Sequence, residues 1–363
     1  MTAAHTSSPK KALAFVLVAL CATFVALCLT AQTAHASSLW ICNIKTANGT
    51  MVTSKAQAKK TNLDSSSYTI YPSGDKSGNL DFKAIHLCMN KCTSYKQNWD
   101  HRNKKITIKL VKGKTYYIDQ TLKLYNNVTF IANGATIKQV TKGKGIFINA
   151  YYKDSSDIPS SLKKTGGYSR GKNITINGGT YVTTGQCGKK KGKKNGWYMG
   201  YSTFLFMHCN KIRIKNVTIT NNYNGHYIEL AGCKNCRIEY STFNGTYKGD
   251  SGNEVIQLDA CVSKSNSPQG SPWDGTATRT TLIDHCTFNV PSCPKGIGTN
   301  QQSSKSYYRI KATNNTFKVK KYALCINNCS KGSASGNKFK SGKVYVSKNS
   351  NFTLGKAEKK KKA

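Results

Sequence analysis

The stretch Gly225–Gly245, GHYIELAGCKNCRIEYSTFNG, carries the residue types from which acid–base chemistry is made: His226, Glu229 and Glu239. Carboxylates are scarce in this chain, which has 55 Lys+Arg against 15 Asp+Glu. Seven of those 15 acids fall between Glu229 and Asp284, among them Glu254, Asp259 and Asp274. Acids gathered in one region of a Lys-rich chain suit two tasks, binding a cation or moving a proton.

Strand alternation decides which of them share a face. The segments FLFMHC, IELAGC and LCINNC each run into a Cys corner, and NEVIQLDAC and KGIGTN fit the same pattern. Successive side chains of a strand point to opposite sides. Ile228 and Leu230 are therefore expected inward, with Tyr227 and Glu229 outward. By the same rule Ile256 and Leu258 face inward while Gln257 and Asp259 face outward. In the next segment Ile297 faces inward and Gly298 outward. If these strands stack ~4.8 Å apart, Glu229, Gln257 and Gly298 form one outward ladder. His226, Glu254 and Lys295 form a second beside it.

Stacking is what the rest of the sequence predicts. NNVTFIANGATI, KNITINGGTYV, NKIRIKNVTI, KNCRIEYSTF, TTLIDHCTF, RIKATNNTF and GSASGNKF repeat one form, an apolar alternation with an Asn or small residue at the bend. Their closing apolar or aromatic anchors are Ile137, Tyr181, Ile219, Phe243, Phe288, Phe317 and Phe339, between 22 and 45 residues apart. Short period-2 strands at such spacing predict an all-β solenoid whose coils bury one continuous core. Asn fits the bends because it tolerates the left-handed backbone region. DFKAIHLCMNKCTSY places Ile85, Leu87, Cys88 and Cys92 near helical spacing, and predicts a short helix capping the open first coil.

The ends read differently. Lys10 and Lys11 precede an apolar run from Ala12 to Ala31 that ends in Ala34-His35-Ala36, the pattern of a secretory signal peptide over residues 1–36. Residues 37–79 read as a leader, 80–350 as the solenoid, and 351–363 as a Lys-rich disordered tail. The formal net charge is +40, and loss of Lys10 and Lys11 lowers it by two. A charge of that size attracts polyanions. Export points to acidic polysaccharide or an anionic wall polymer and away from nucleic acid. The chain is expected to be a secreted, extracellular monomer with no stable membrane insertion after cleavage, held at the surface by charge. Of 14 cysteines, Cys21 and Cys28 lie in the signal peptide, and the others are placed for disulfides in an oxidising compartment. No metal-ligand spacing is present.

The order of capping helix, ITIKLVKGKTYYI, YNNVTFIANGATI and Asn-rich coils resembles the pectate-lyase-like superfamily of single-stranded right-handed parallel β-helices, over roughly residues 80–345. The resemblance implies a substrate groove on the outward face of the strands that carry Glu229. It does not select an activity. The pectate-lyase pattern R-x-P-x-x-R is missing, and so is the polygalacturonase set of N-x-D, Asp-Asp and G-H-G as a whole, since neither Asp-Asp nor G-H-G occurs.

Two functions follow as expectations. The first is a polysaccharide lyase or glycoside hydrolase acting on an acidic chain, with Glu229, Glu254, Asp259 and His226 catalytic. A hydrolase needs two carboxylates about 5–9.5 Å apart. A lyase would neutralise its substrate with Ca²⁺ or a basic side chain and use Lys295, Arg279 or His226 as base; no other cofactor is implied. The loop after Asp259 would add Trp273 for stacking on a sugar and Asp274 for its hydroxyls, while Gln257, Arg279 and Lys295 would complete substrate binding. A second loop carries Lys189–Lys194 and Trp197. The alternative is a non-catalytic surface binder or adhesin held to the wall by positive charge. Glu239 and Asp284 share one repeat slot and are expected on the surface.

Overall fold

The computed structural model describes residues 43–54, 57, 65–90, 105–150, 166–184, 202–223, 225–248, 253–262, 272–300 and 306–363. The signal segment 1–36, Cys92, the run 189–194 and Trp197 lie outside the described residues.

Each coil contributes one strand to each of three sheets, which hold twelve, eight and eight strands among the described residues. One full turn runs Cys209–Lys215, Thr218–Asn222 and Ile228–Ala231, and the next begins at Lys234–Glu239. Neighbouring coils pair in parallel from Ser67–Ile70 onward. The fold is a right-handed parallel β-helix, the hand that parallel crossovers take.

The repeat positions expected from sequence stack in one column of the second sheet. Ile137 pairs with Tyr181, Tyr181 with Ile219, Ile219 with Phe243, and the column continues through Phe288, Phe317 and Phe339. From Ile137 to Phe317 these side chains are fully buried. The phenylalanine rings sit 5.0, 4.6 and 5.7 Å apart along the column, the offset spacing that aromatic quadrupoles favour. At the bends Asn127, Asn173, Asn216, Asn235, Asn314 and Asn328 hold left-handed backbone angles.

Both ends are closed by a buried carboxylate. At the start, Ile44–Thr46, Met51–Val52 and Ser67–Ile70 open the first sheet as antiparallel strands, so residues before 80 already belong to it. The helix Asn79–Asn90 follows and buries Ala84, Ile85, Cys88 and Met89. Its Asp81, also buried, accepts hydrogen bonds from the N–H of Ser73 at 2.8 Å and of Tyr117 at 2.9 Å.

The expected disordered tail is corrected. Asn351–Leu354 pairs with Cys329–Ser335, and a short helix, Lys356–Lys359, follows. Glu358 is buried, and its Oε1 accepts from the Asn337 N–H at 2.9 Å and the Asn337 side-chain amide at 2.7 Å. The charge run is ordered because the last coil leaves backbone and Asn donors that one carboxylate can satisfy. Glu358→Ala is expected to destabilise the chain by about 1–3 kcal/mol, read from the midpoint of urea unfolding. An unchanged midpoint would mean that the tail does not close the solenoid.

Candidate functional site

The expected outward ladder forms on the third sheet. Glu229 pairs with Gln257, and Gln257 with Gly298. Glu254 pairs with Lys295 in the adjacent column, and the His226 ring lies against Glu254, its Nδ1 donating to the Glu254 carbonyl at 2.9 Å. Gly298 is required by space: a Cβ there would stand 2.5 Å from Cγ of Glu254. The missing side chain lets Glu254 fold across the next rung toward Lys295.

The groove expected on this face is closed. Glu229 and Glu254 are 6% and 4% exposed and Asp259 is 0% exposed. Beside them Ile148, Leu205, Met207, Ala231 and Cys261 make a buried apolar cluster on the same face. The polar atoms are spent on one another. Ser202 Oγ donates to Glu229 at 2.5 Å. The Gln257 amide donates to both oxygens of Asp259 at 2.8 Å. Lys295 Nζ meets Glu254 Oε1 at 2.8 Å.

Burial sets the protonation of this group. It raises the Glu229 carboxyl to about 7, against the Ser202 hydrogen bond and with help from the Glu254 charge. It also raises Asp259, and Glu229 beside it adds to the effect. Burial raises Glu254 too, although the Lys295 ammonium opposes it. His226 lies 3.7 Å from the Glu254 carboxylate. Desolvation nevertheless lowers the imidazole to about 4, so at neutral pH the contact is a neutral ring beside a carboxylate rather than an ion pair. The cluster is chemically an acid–base set, with one ion pair and two carboxyls that resist ionisation, and its acids are buried while Lys295 keeps part of its side chain in solvent. It does not fit Ca²⁺, since Lys295 already neutralises Glu254. Among the described residues no group of three or more His, Cys, Asp or Glu is placed to hold a metal ion.

Other predicted residues lie elsewhere. Asp274 locks its own loop, accepting from Gly167 N–H at 2.6 Å and Thr276 N–H at 3.0 Å. Burial works against its ionisation, but the Thr276 hydroxyl and these N–H groups prevail and hold it below the ordinary value. Trp273 is 57% exposed. Arg279 belongs to the first sheet, in Arg279–Asp284, and not to the third sheet that carries Glu229, Glu254 and Asp259. Glu239 and Asp284 do share a slot. Glu239 is buried, however, under Arg213 at 3.2 Å and Arg237 at 2.7 Å, which corrects its expected surface position. The nine described cysteines are all buried, and Cys209, Cys233, Cys236, Cys286, Cys293, Cys325 and Cys329 among them are free thiols.

The sequence reading missed two features. Buried His208 has Nδ1 2.9 Å from the Gly167 carbonyl and Nε2 3.0 Å from that of Pro272, so it tethers two loops; the FLFMHC corner was its signal. The second is a strip of cations and tyrosines on the outward face of the first sheet. Lys234, Arg279 and Tyr308 stand in register on three successive coils. Lys234 lies 4.8 Å and Arg279 5.9 Å from the Tyr168 ring centre. Around Tyr308 lie Arg279 at 5.9 Å, Arg309 at 5.2 Å and Lys331 at 5.9 Å. Arg213 and Arg237 pair in the next column, and Lys311 follows at Leu282.

The protonation pattern gives a signed expectation. A carboxyl whose folded pKa is raised binds its proton more tightly in the folded state, so stability falls as pH rises from the unfolded value of about 4.5 through about 7. The depressed His226 acts oppositely, adding stability as pH rises from about 4 to 6.5. Glu229→Gln removes only the first effect. Its stability relative to the parent chain should improve by on the order of 3 kcal/mol between pH 4.5 and 8, measured by urea unfolding across that range. A constant difference would mean that Glu229 titrates normally.

No family model matches the chain. A curated relative, the plasmin and fibronectin-binding protein A of Streptococcus pneumoniae, is 27% identical over 42% of this chain and 23% of its own length. The chain thus spans less than a quarter of that relative. Two solved structures of PfbA, a surface adhesin of the same organism, align with TM-scores of 0.55 and 0.53 at 20% and 19% identity. They cover 73% and 70% of this chain, and 60% and 62% of their own. At that identity the likeness carries the fold, a parallel β-helix shared with bacterial surface proteins.

Proposed function

We propose that this chain is an extracellular, cell-surface β-helix protein of the pectate-lyase-like superfamily that binds acidic polysaccharide or anionic wall polymer without cleaving it. The binding surface is the outward face of the first sheet. One observation carries this reading: Lys234, Arg279, Arg309 and Lys331 are grouped about Tyr168 and Tyr308 on successive coils. A cation resting on a ring keeps its charge while losing side-chain freedom, so less entropy remains to be lost when a polyanion binds. The repeat along the axis suits a linear chain of negative charges, and the +40 net charge draws it in. The surface adhesins of similar fold support the location.

A second reading keeps one observation in its favour, the Glu229 carboxyl at about 7 beside Asp259. In it Glu229, Glu254, Asp259 and His226 act on a sugar chain that reaches the third sheet.

Binding of the secreted protein to polygalacturonate should weaken steeply between 50 and 200 mM salt, roughly as polyanion contacts do. Arg279→Gln, Arg309→Gln and Lys331→Gln together should lower affinity by about tenfold and flatten the salt dependence. Glu254→Gln should leave binding unchanged. New reducing ends or unsaturated uronate that vanish with Glu254→Gln would support the enzyme instead. Binding of plasmin or fibronectin alone would point to host-protein partners of the kind named for the pneumococcal relative.

A further inference from the structure

One bend of the solenoid departs from its own rule. Where the first sheet turns toward the second, Gly178, Asn216, Tyr240, His285, Asn314 and Gly336 occupy one slot. Each of the first five donates its N–H to the residue before the slot on the following coil. All six hold left-handed angles, with φ between 50° and 75°. Glycine and asparagine accept that conformation, histidine less readily, and the bulky Tyr240 ring adopts it under strain. Strain of this kind persists where the residue has another use.

At two consecutive rungs the slot holds rings. Tyr240 and His285 stack with centroids 5.1 Å apart and planes 23° from parallel. Although His285 covers one side of it, Tyr240 is 57% exposed, which makes it one of the two most exposed large aromatic side chains among the described residues. The nearby charges favour an anion. Arg213 and Arg237 have half-exposed side chains, while the carboxylate between them, Glu239, is only 6% exposed. Asp284 is turned toward His285 at 2.7 Å, Thr313 at 2.5 Å and Asn314 at 3.1 Å.

We propose that Tyr240 and His285 form a stacking platform for one pyranose ring of an acidic polysaccharide, whose carboxylate or sulfate group is met by Arg213 and Arg237. The C–H face of a pyranose is apolar and weakly positive, and it complements the negative face of an aromatic ring. The guanidinium groups keep donors free beyond those used on Glu239, because each presents five N–H groups. This inference rests on the binding reading above and narrows it: the first-sheet face takes sugar chains in preference to polyanions that lack rings.

The test restores the residue that the bend otherwise uses. Tyr240→Asn and His285→Asn are made in the full chain, and affinities for polygalacturonate and for inorganic polyphosphate are measured by calorimetry alongside melting temperatures. Each variant is expected to lose roughly three- to tenfold in polygalacturonate affinity with polyphosphate affinity unchanged and melting temperature equal or higher. Equal binding of polygalacturonate by variant and parent would overturn the platform while leaving the basic face intact. So would a lower melting temperature with unchanged binding, which would make the stacked pair a brace for the bend. Equal losses for both polymers would overturn it as well. A parent chain that binds neither polymer would remove the basic-face reading and the platform together.

Discussion

In-register stacking of coils is the constraint on which everything else in this molecule depends. Each strand hydrogen-bonds to the same strand of the next coil, so a residue's direction is inherited from rung to rung. That inheritance builds the column from Ile137 to Phe339, fully buried as far as Phe317. A solenoid gains stability from nearest-neighbour interfaces, and its open ends are where donors go unpaired. Asp81 at the first coil and Glu358 at the last answer the same problem with the same chemistry, a buried carboxylate taking orphaned N–H groups.

The same inheritance sorts charge. Asp81, Glu229, Glu239, Glu254, Asp259 and Glu358 are all buried, and each has a hydrogen-bonding or ionic partner inside the structure. Buried ion pairs of this type seldom add net stability over apolar packing, but removing one partner is costly. Among the described residues six of the ten acids therefore stand inside, and the abundant cations are left to define the surface. On the first sheet they are interleaved with tyrosines, and there the molecule presents an ordered positive face.

Much of this was legible in the sequence. The aromatic column and the Glu229–Gln257–Gly298 ladder follow from period-2 alternation and a shared bend, both local signals. The burial of the third-sheet acids was not legible, because alternation tells which side a residue faces and not what lies over it. Arg279 was misplaced beside the acids because it follows a long excursion with no corner of its own to align. The tail looked disordered because a run of lysines hides one glutamate whose partner, Asn337, lies a full coil earlier. Tyr240 and His285 were overlooked because the repeat was read as placing an Asn or a small residue at the bend, and these two rings stand in that slot.

Hydroxyl-radical footprinting of the intact protein with and without polygalacturonate tests most directly which face binds. Protection of Tyr168, Tyr308 and their neighbours on the first sheet, with Tyr322 and Tyr345, the part-exposed tyrosines of the third sheet, unchanged, is the expected result. Protection confined to Tyr322 and Tyr345, with Tyr168 and Tyr308 fully reactive, would contradict it and return the function to the third-sheet face.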